Sequence, residues 1–251
     1  MRVFGLIGFP LTHSFSKKYF TEKFEKEHIP DGVYELFEVP MMTRINFDKL
    51  KADNPEVAGF NVTIPHKQTI MPLLDRFDSS ASVVGAVNVV KKEGEEWVGY
   101  NSDYYGFMES LQRFLPTDFK GIKALVLGTG GASKAVEAAL DTLDIPYSLV
   151  SRTAISGIQN PVLGYDELTP AIIENHQLII NTSPLGMYPN TDTCPALPYQ
   201  SITSNHFLFD LVYNPAETLF LKKGKAQGAK TQFGLEMLHL QAEKAWEIWN
   251  Q

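Results

Sequence analysis

"KALVLGTGGASKAVEAALDTL" (residues 123–143) is a strand, a glycine turn and a helix written one after another. Residues 123–128 form a short apolar run of the kind that makes a buried strand. Residues 129–143 are glycine-rich at their start, with Gly130 and Gly131 after Thr129, and continue in strong helix formers. Gly128, Gly130 and Gly131 fall between the two. A turn this tight favours residues without a Cβ, and it lets backbone N–H groups come close to a pyrophosphate. The helix that follows adds about half a positive charge at its start. The strict fingerprint has Gly or Ala at its sixth position, and here Ser133 stands there, still small. The pattern predicts a dinucleotide site; a glycine turn that only packs helix on strand would share it.

Downstream, strands are expected at 146–151, 176–183 and 206–212, which makes a βαβ unit followed by further parallel strands. The first of them ends "LVSRT". An NAD site places Asp or Glu there, about twenty residues past the turn, for the ribose hydroxyls. This chain has Ser151 and Arg152 instead. A missing acid and a present cation suit a 2′-phosphate, so NADP is the expected cofactor. An Arg directed to solvent is the plainer alternative. The proline-bearing stretch 184–200 reads as a loop.

Upstream, "RVFGLIG" (2–8), "VYELFEV" (33–39) and "VAGFNVT" (57–63) read as strands. Helices are expected at 16–28, with Ser16 as N-cap, and at 45–52. Residues 86–92 and 95–100 flank "EG" at 93–94, a hairpin signal. Residues 103–115 form a helix candidate stopped by Pro116, and 234–251 an amphipathic one. The expectation is therefore an α/β protein of two domains. Residues 1–102 plus 235–251 form an open α/β substrate domain, and 103–234 a Rossmann-like NADP-binding domain, with a cleft between them.

Bulk properties agree. The 251 residues are 44% hydrophobic and 20% charged, a globular profile. The net charge of −7 comes without a basic block, which argues against nucleic acid as a partner. Cys194 is the one cysteine, so no internal disulfide forms and a reducing compartment is favoured. The N-terminal apolar run is broken by Gly5, Gly8 and Pro10, which makes a poor secretory signal and no membrane span. A cytoplasmic location is expected, with no membrane partner. No metal-ligand spacing is present.

A set of polar residues follows the early strands: Ser14 and Ser16, then Asn61, Thr63 and Lys67, then Asn88, and Asp103 at the start of a helix. In an open α/β sheet, loops at the carboxyl ends of strands form the ligand crevice. Hydroxyls, amides, one Lys and one Asp suit a small polyhydroxylated acid. Each has a structural alternative: Ser16 and Asp103 as N-caps, Asn88 as a backbone partner at the sheet edge, Lys67 as a solvated cation. His13, His66 and His239 have no carboxylate partner in the pattern and read as structural or peripheral. Pro65 suits a first helical turn, which would put Lys67 at a positive dipole end that disfavours its charge. A nearby Asp103 would oppose this, and the coupled pair could move a proton while hydride moves.

The motifs "GFPLTHSFS", "GFNVTIPHK", "GAVNVV", "GYNSDYYGF", "LGTGGASKAV", "SRT", "INTSPLGM", "DLVYNP" and "GLEMLHLQA" occur in this order along nearly the whole chain. In this combination the sequence resembles the shikimate dehydrogenase family. The resemblance implies NADPH-dependent reduction of 3-dehydroshikimate to shikimate, a step toward aromatic amino acids. It implies Lys67 and Asp103 as the catalytic pair and Ser14 and Ser16 at the substrate carboxylate. Thr63, Asn88 and Gln241 would meet hydroxyls or the ring, Asn61 would shape the site, and Tyr213 would lie near the carboxylate. Gly128, Thr129, Gly130, Gly131 and Ala132 would form the pyrophosphate turn. Ser151, Arg152 and Thr153 would face the adenosine side, and Thr182, Gly234 and Met237 the nicotinamide side.

The resemblance also has a gap. Where the family has Asn-Arg-Thr and a further basic residue, this chain has Ser151 and Ser156, and the segment is shortened. Gly157, Pro161 and Gly164 argue against a helix there. Arg152 would then hold a 2′-phosphate largely alone, which leaves NAD use open. A quinate/shikimate dehydrogenase and a non-catalytic binding paralogue are the alternatives. Family members occur as monomers or homodimers.

Overall fold

The structure, a computed structural model, describes every residue except 12–13, 118 and 155–161. The chain divides into two compact units, Met1–Ser102 with Gln241–Gln251, and Asp103–Leu240.

The first unit contains β1 (Arg2–Gly8), α1 (Phe15–Lys26), β2 (Gly32–Glu38), α2 (Arg44–Asp53), β3 (Val57–Val62), β4 (Arg76–Phe77), α3 (Ser79–Val84), β5 (Val89–Glu93) and β6 (Glu96–Tyr100). Its sheet runs β2-β1-β3-β5-β6-β4. β2, β1 and β3 are parallel, whereas β5 is antiparallel to both β3 and β6. From Val3 onward β1 is apolar and buried because both of its faces are covered. Val3 and Ile7 enter one core with Phe47, Phe60 and Trp97. Phe4 and Leu6 enter the other with Phe20, Tyr34, Ala245 and Trp249.

The second unit contains α4 (Ser102–Phe114, apart from its first residue), β7 (Ala124–Leu127), α5 (Gly131–Thr142), β8 (Tyr147–Ser151), β9 (Val162–Gly164), α6 (Pro170–Glu174), β10 (Leu178–Asn181), β11 (Phe207–Asp210), α7 (Leu219–Ala226), β12 (Lys230–Phe233) and the start of α8 (Leu235–Asn250). Its six strands are all parallel in the order β12-β11-β10-β7-β8-β9. Numbered from β7, this is the Rossmann order 3-2-1-4-5-6. Alternate residues again serve opposite faces. Ala124 and Val126 join the core with Phe107 and Leu140, and Leu125 and Leu127 join the core with Ile173 and Phe220.

Several local expectations are corrected. Ser14, not Ser16, caps α1, and its side chain accepts from Lys17 N at 3.1 Å. Asn88 precedes β5 rather than lying inside it. Asp103 is the second residue of α4, after Ser102. The hairpin loop is Gly94–Glu95, with Gly94 at φ +61° and Glu93 paired with Glu96. No α-helix starts at Pro65: turns continue to Ile70 and a single 3₁₀ turn follows at Met71–Leu73. The helix dipole invoked for Lys67 is therefore absent. His13, Ser156, Gly157 and Pro161 lie outside the described residues. Gly164 ends β9, so no helix occupies that position.

Candidate active site

In the first unit the chain leaves β1 for β2 on one side, then returns to place β3 on the other. That reversal is a topological switch point, and the loops beyond β1 and β3 diverge there to leave a crevice. Ser14 and Ser16 follow β1, and Thr63 and Lys67 follow β3. Because β5 runs antiparallel to β3, its start lies at the same edge, and Val62 N donates to Asn88 O at 2.9 Å. The structure thus brings Ser14, Ser16, Asn61, Thr63, Lys67 and Asn88 to one edge of the sheet.

The local contacts explain how. A Cβ at Gly8 would come within 2.5 Å of Thr63 Cγ2, so the glycine admits Thr63, whose N–H donates to Ile7 O at 2.9 Å. The Lys67 carbonyl accepts from Val87 N at 2.7 Å, which ties the lysine's backbone to the segment carrying Asn88. His66 is buried, with Nε2 against Val39 O, a structural role. The Asn88 side chain serves Ser102: Oδ1 accepts from Ser102 N at 2.6 Å, and Nδ2 donates to Ser102 Oγ at 3.0 Å. Gln241 lies on the part of α8 that belongs to this unit.

Sequence reasoning missed Tyr34. Its buried hydroxyl donates to Asn61 Oδ1 at 2.7 Å and is hydrogen-bonded by Ser16. Burial pushes this phenol up, and the Ser16 bond opposes the shift only in part. A tyrosine on the inward face of an alternating strand was the available signal, since a buried hydroxyl needs a partner.

In the second unit the switch point lies between β7 and β10. Gly128 follows β7 at φ +122°, where a Cβ would stand 2.7 Å from Thr182 Oγ1. Thr182 follows β10 and donates from Oγ1 to Leu127 O at 2.9 Å. Gly130 is the N-cap of α5 and Gly131 its first residue. A Cβ at either would meet nothing within 4 Å. Protein packing does not require glycine at these two positions. The open space in front of the helix's N–H groups is the cradle a pyrophosphate needs. Ser133 is buried and donates from Oγ to Gly130 O at 2.8 Å, which explains its fit at the sixth position.

The other expected positions are more dispersed. Arg152 is exposed at the end of β8, close enough to Tyr165 to oppose the rise that burial gives that phenol. Ser151 Oγ accepts weakly from Thr153 N at 3.5 Å. A Cβ at Gly234 would lie 2.2 Å from Leu211 O, so this glycine seats the entry to α8. Met237 is buried in the core with Phe107 and Phe209. Tyr213 is exposed in the loop after β11.

Asp210, at the end of β11, was also missed. It is fully buried and accepts from Asn181 Nδ2 at 2.9 Å, Val212 N at 3.0 Å and Thr218 Oγ1 at 2.5 Å. Burial pushes its carboxyl up to about 6 against the pull of those bonds. A lone Asp closing the apolar run "FLFD" was its signal. Among the described residues, no group of three His, Cys, Asp or Glu is placed to hold a metal ion, and no helix is long and apolar enough to cross a membrane.

A mixed sheet with a polar carboxyl edge and a six-stranded Rossmann sheet with an open glycine turn define an α/β protein of the dinucleotide-binding class. Residues 6–90 match the family model for the shikimate dehydrogenase substrate binding domain. The NADP(+) shikimate dehydrogenase of Clostridium perfringens (strain 13 / Type A) is 40% identical over 259 residues, covering 100% of this chain and 93% of that relative. A crystal structure of a shikimate dehydrogenase in complex with NADP+ superposes with a TM-score of 0.86 at 34% identity, covering 99% of this chain and 90% of that one. The Thermus thermophilus enzyme in complex with NADP(H) and shikimate gives 0.82 at 30% identity, over 99% and 93%. The chain belongs to the shikimate dehydrogenase family.

Proposed function

We propose that this chain is an NADP-dependent shikimate dehydrogenase that interconverts 3-dehydroshikimate and shikimate. The main support is a relative 40% identical from end to end, together with the polar edge that joins the loops after β1 and β3 in the first unit. Bound NADP(H) supplies the hydride chemistry at the C3 carbon. Lys67 and Asp103 handle the proton at the C3 oxygen, giving it in reduction and taking it in oxidation. Ser14 and Ser16 bind the substrate carboxylate, with Tyr213 nearby. Asn61, Thr63, Asn88 and Gln241 orient the ring and its hydroxyls. Residues 1–102 and 241–251 serve the substrate, and 103–240 the cofactor, so the boundary expected at 235 falls six residues later, within α8. Gly128, Thr129, Gly130, Gly131 and Ala132 hold the pyrophosphate, and Ser151, Arg152 and Thr153 the adenosine side. Thr182, Gly234 and Met237 lie toward the nicotinamide. The chain acts in the cytoplasm, as a monomer or homodimer.

Initial rates with shikimate, with NADP and NAD in parallel, test this reading. Lys67→Ala is expected to lower kcat about 10²- to 10⁴-fold with the fold intact. Near wild-type turnover in that variant would sink the role of Lys67. A second reading, relaxed cofactor choice, is favoured by Arg152, an exposed cation followed by a segment in which Ser156 stands where the family has a base. In that case rates with NAD approach those with NADP.

A further inference from the structure

Asp103 is preceded by two residues whose backbone N–H groups are both taken by side chains. Asn101 N donates to Ser80 Oγ at 3.0 Å, and Ser102 N donates to Asn88 Oδ1 at 2.6 Å. The Asn101 amide also donates to Ala86 O at 2.9 Å. N–H groups at a helix start have no intrahelical partner, and here they are met from α3 and from the residue before β5. Ser80, Asn101 and Ser102 are only 3%, 1% and 1% exposed, so water does not compete for these bonds.

The polarity at Ser80 is fixed. Asp78 Oδ1 accepts from Ser80 N at 2.9 Å and from Ser80 Oγ at 2.7 Å. An ionised carboxylate only accepts, and a peptide N–H only donates. The single hydroxyl proton of Ser80 therefore points at Asp78 and leaves a lone pair facing Asn101. Burial works against the charge of Asp78, but bonds from the Ser80 hydroxyl and from the N–H groups of Ser80 and Ser79 outweigh it and hold the carboxyl below its ordinary range. Asp78 is itself anchored, because its N–H donates to Gly99 O at 2.9 Å.

We infer that Ser80, oriented by Asp78, is a positioning residue for Asp103, fixing the backbone from which that carboxylate departs. The inference rests on the role proposed above for Asp103. Ser80 acts only through Asn101, two residues before the reacting group, and touches no substrate. Placement matters because a misplacement of about 1 Å can cost about 100-fold in rate.

The test compares Ser80→Ala, Ser80→Cys and Asp78→Asn with the wild-type chain in shikimate oxidation. Ser80→Ala removes the acceptor and is expected to lower kcat about 10- to 100-fold, while KM for shikimate and for NADP stays near wild type. Its solvent deuterium isotope effect on kcat rises, because the proton step slows. Ser80→Cys, similar in size but a weak acceptor, falls between. Asp78→Asn keeps an Oδ1 acceptor for Ser80 and retains kcat near wild type. Should Ser80→Ala fail to fold, the Cys and Asn variants decide alone, and wild-type kcat in Ser80→Cys overturns the inference. So does a folded Ser80→Ala with unchanged kcat and isotope effect, or one whose two KM values rise while Tm falls. The wild-type assay separates the failures. An inactive wild type removes the dehydrogenase reading and this inference with it, whereas an active wild type beside an unaltered Ser80→Ala removes the inference alone.

Discussion

A carboxylate without solvent contact must be held by donors, and Asp210 has three. Its burial still dominates, raising the carboxyl to about 6 in the folded chain. An unfolded Asp titrates at about 3.9. The folded state therefore holds this proton more tightly than the unfolded state does. The associated stability is fully present below the unfolded value and is lost as pH rises through about 6. The gap corresponds to roughly 3 kcal/mol. Urea unfolding of the wild type and Asp210→Asn at pH 4, 5, 6 and 7 checks this. The difference between the two curves is expected to change across that window and flatten above it. Parallel curves would show that the bonds from Asn181, Val212 and Thr218 cancel the burial. At this scale sequence reading was weakest. Lys67 and Asn61 were legible as polar positions, but Tyr34, Ser80 and Asp210 gain their meaning from partners 27, 21 and 29 residues away, which no local pattern carries.

Elements were legible where local chemistry decides them. The unit from β7 through the glycine turn to α5 is written in consecutive residues, and it formed as read. β4, β9 and β12 were not foreseen, because strands of two to four residues at or near sheet edges exist only through their neighbours. The helix expected after Pro65 failed for a related reason: the Lys67 carbonyl, which a helix would pair with Met71 N, accepts from Val87 N instead, and Met71 N donates to Gln68 O in a tighter turn, so the one helical bond from Ile70 N to His66 O is not continued. The turn itself allows a sharp distinction. Gly128→Ala puts a Cβ 2.7 Å from Thr182 Oγ1 at φ +122°, and should cost about 1–3 kcal/mol of stability. Gly130→Ala sits in extended backbone, φ −84° and ψ −173°, with open space around it. Its stability should stay within about 0.5 kcal/mol of wild type. Its NADPH affinity, read by cofactor fluorescence, should fall because the methyl occupies the cradle. Equal stability losses in the two variants would remove the distinction between a structural and a ligand-facing glycine.

At the scale of the whole molecule, α8 begins in the second unit and ends in the first, and its last turns complete the first unit's core. Trp249 stacks on Phe4 with ring centroids 4.7 Å apart and donates from Nε1 to Val90 O at 3.1 Å. Gly59 makes room for it, since a Cβ there would lie 2.3 Å from the indole nitrogen. Glu243 adds a charged clasp: its carboxylate takes Lys23 Nζ at 2.8 Å and the Tyr19 hydroxyl. Lys23 is buried while Glu243 stays 45% exposed, so removing Glu243 would leave a desolvated ammonium with Glu27 as its remaining carboxylate partner. Trp249→Ala removes the indole from a site that cannot collapse around β3, and about 3–5 kcal/mol of stability should go with it. All three tryptophans lie in the first unit, so Trp97 and Trp246 still report its unfolding by fluorescence in the variant. Hydrogen exchange supplies the other half of the test. Amides of β1 and β3 should lose protection, while those of β7 and β10, whose cores contain no residue from the last turns of α8, should keep it. Equal loss in both sheets would mean that the units unfold as one, and that the final turns of α8 stabilise the Rossmann sheet as well as the sheet they cover.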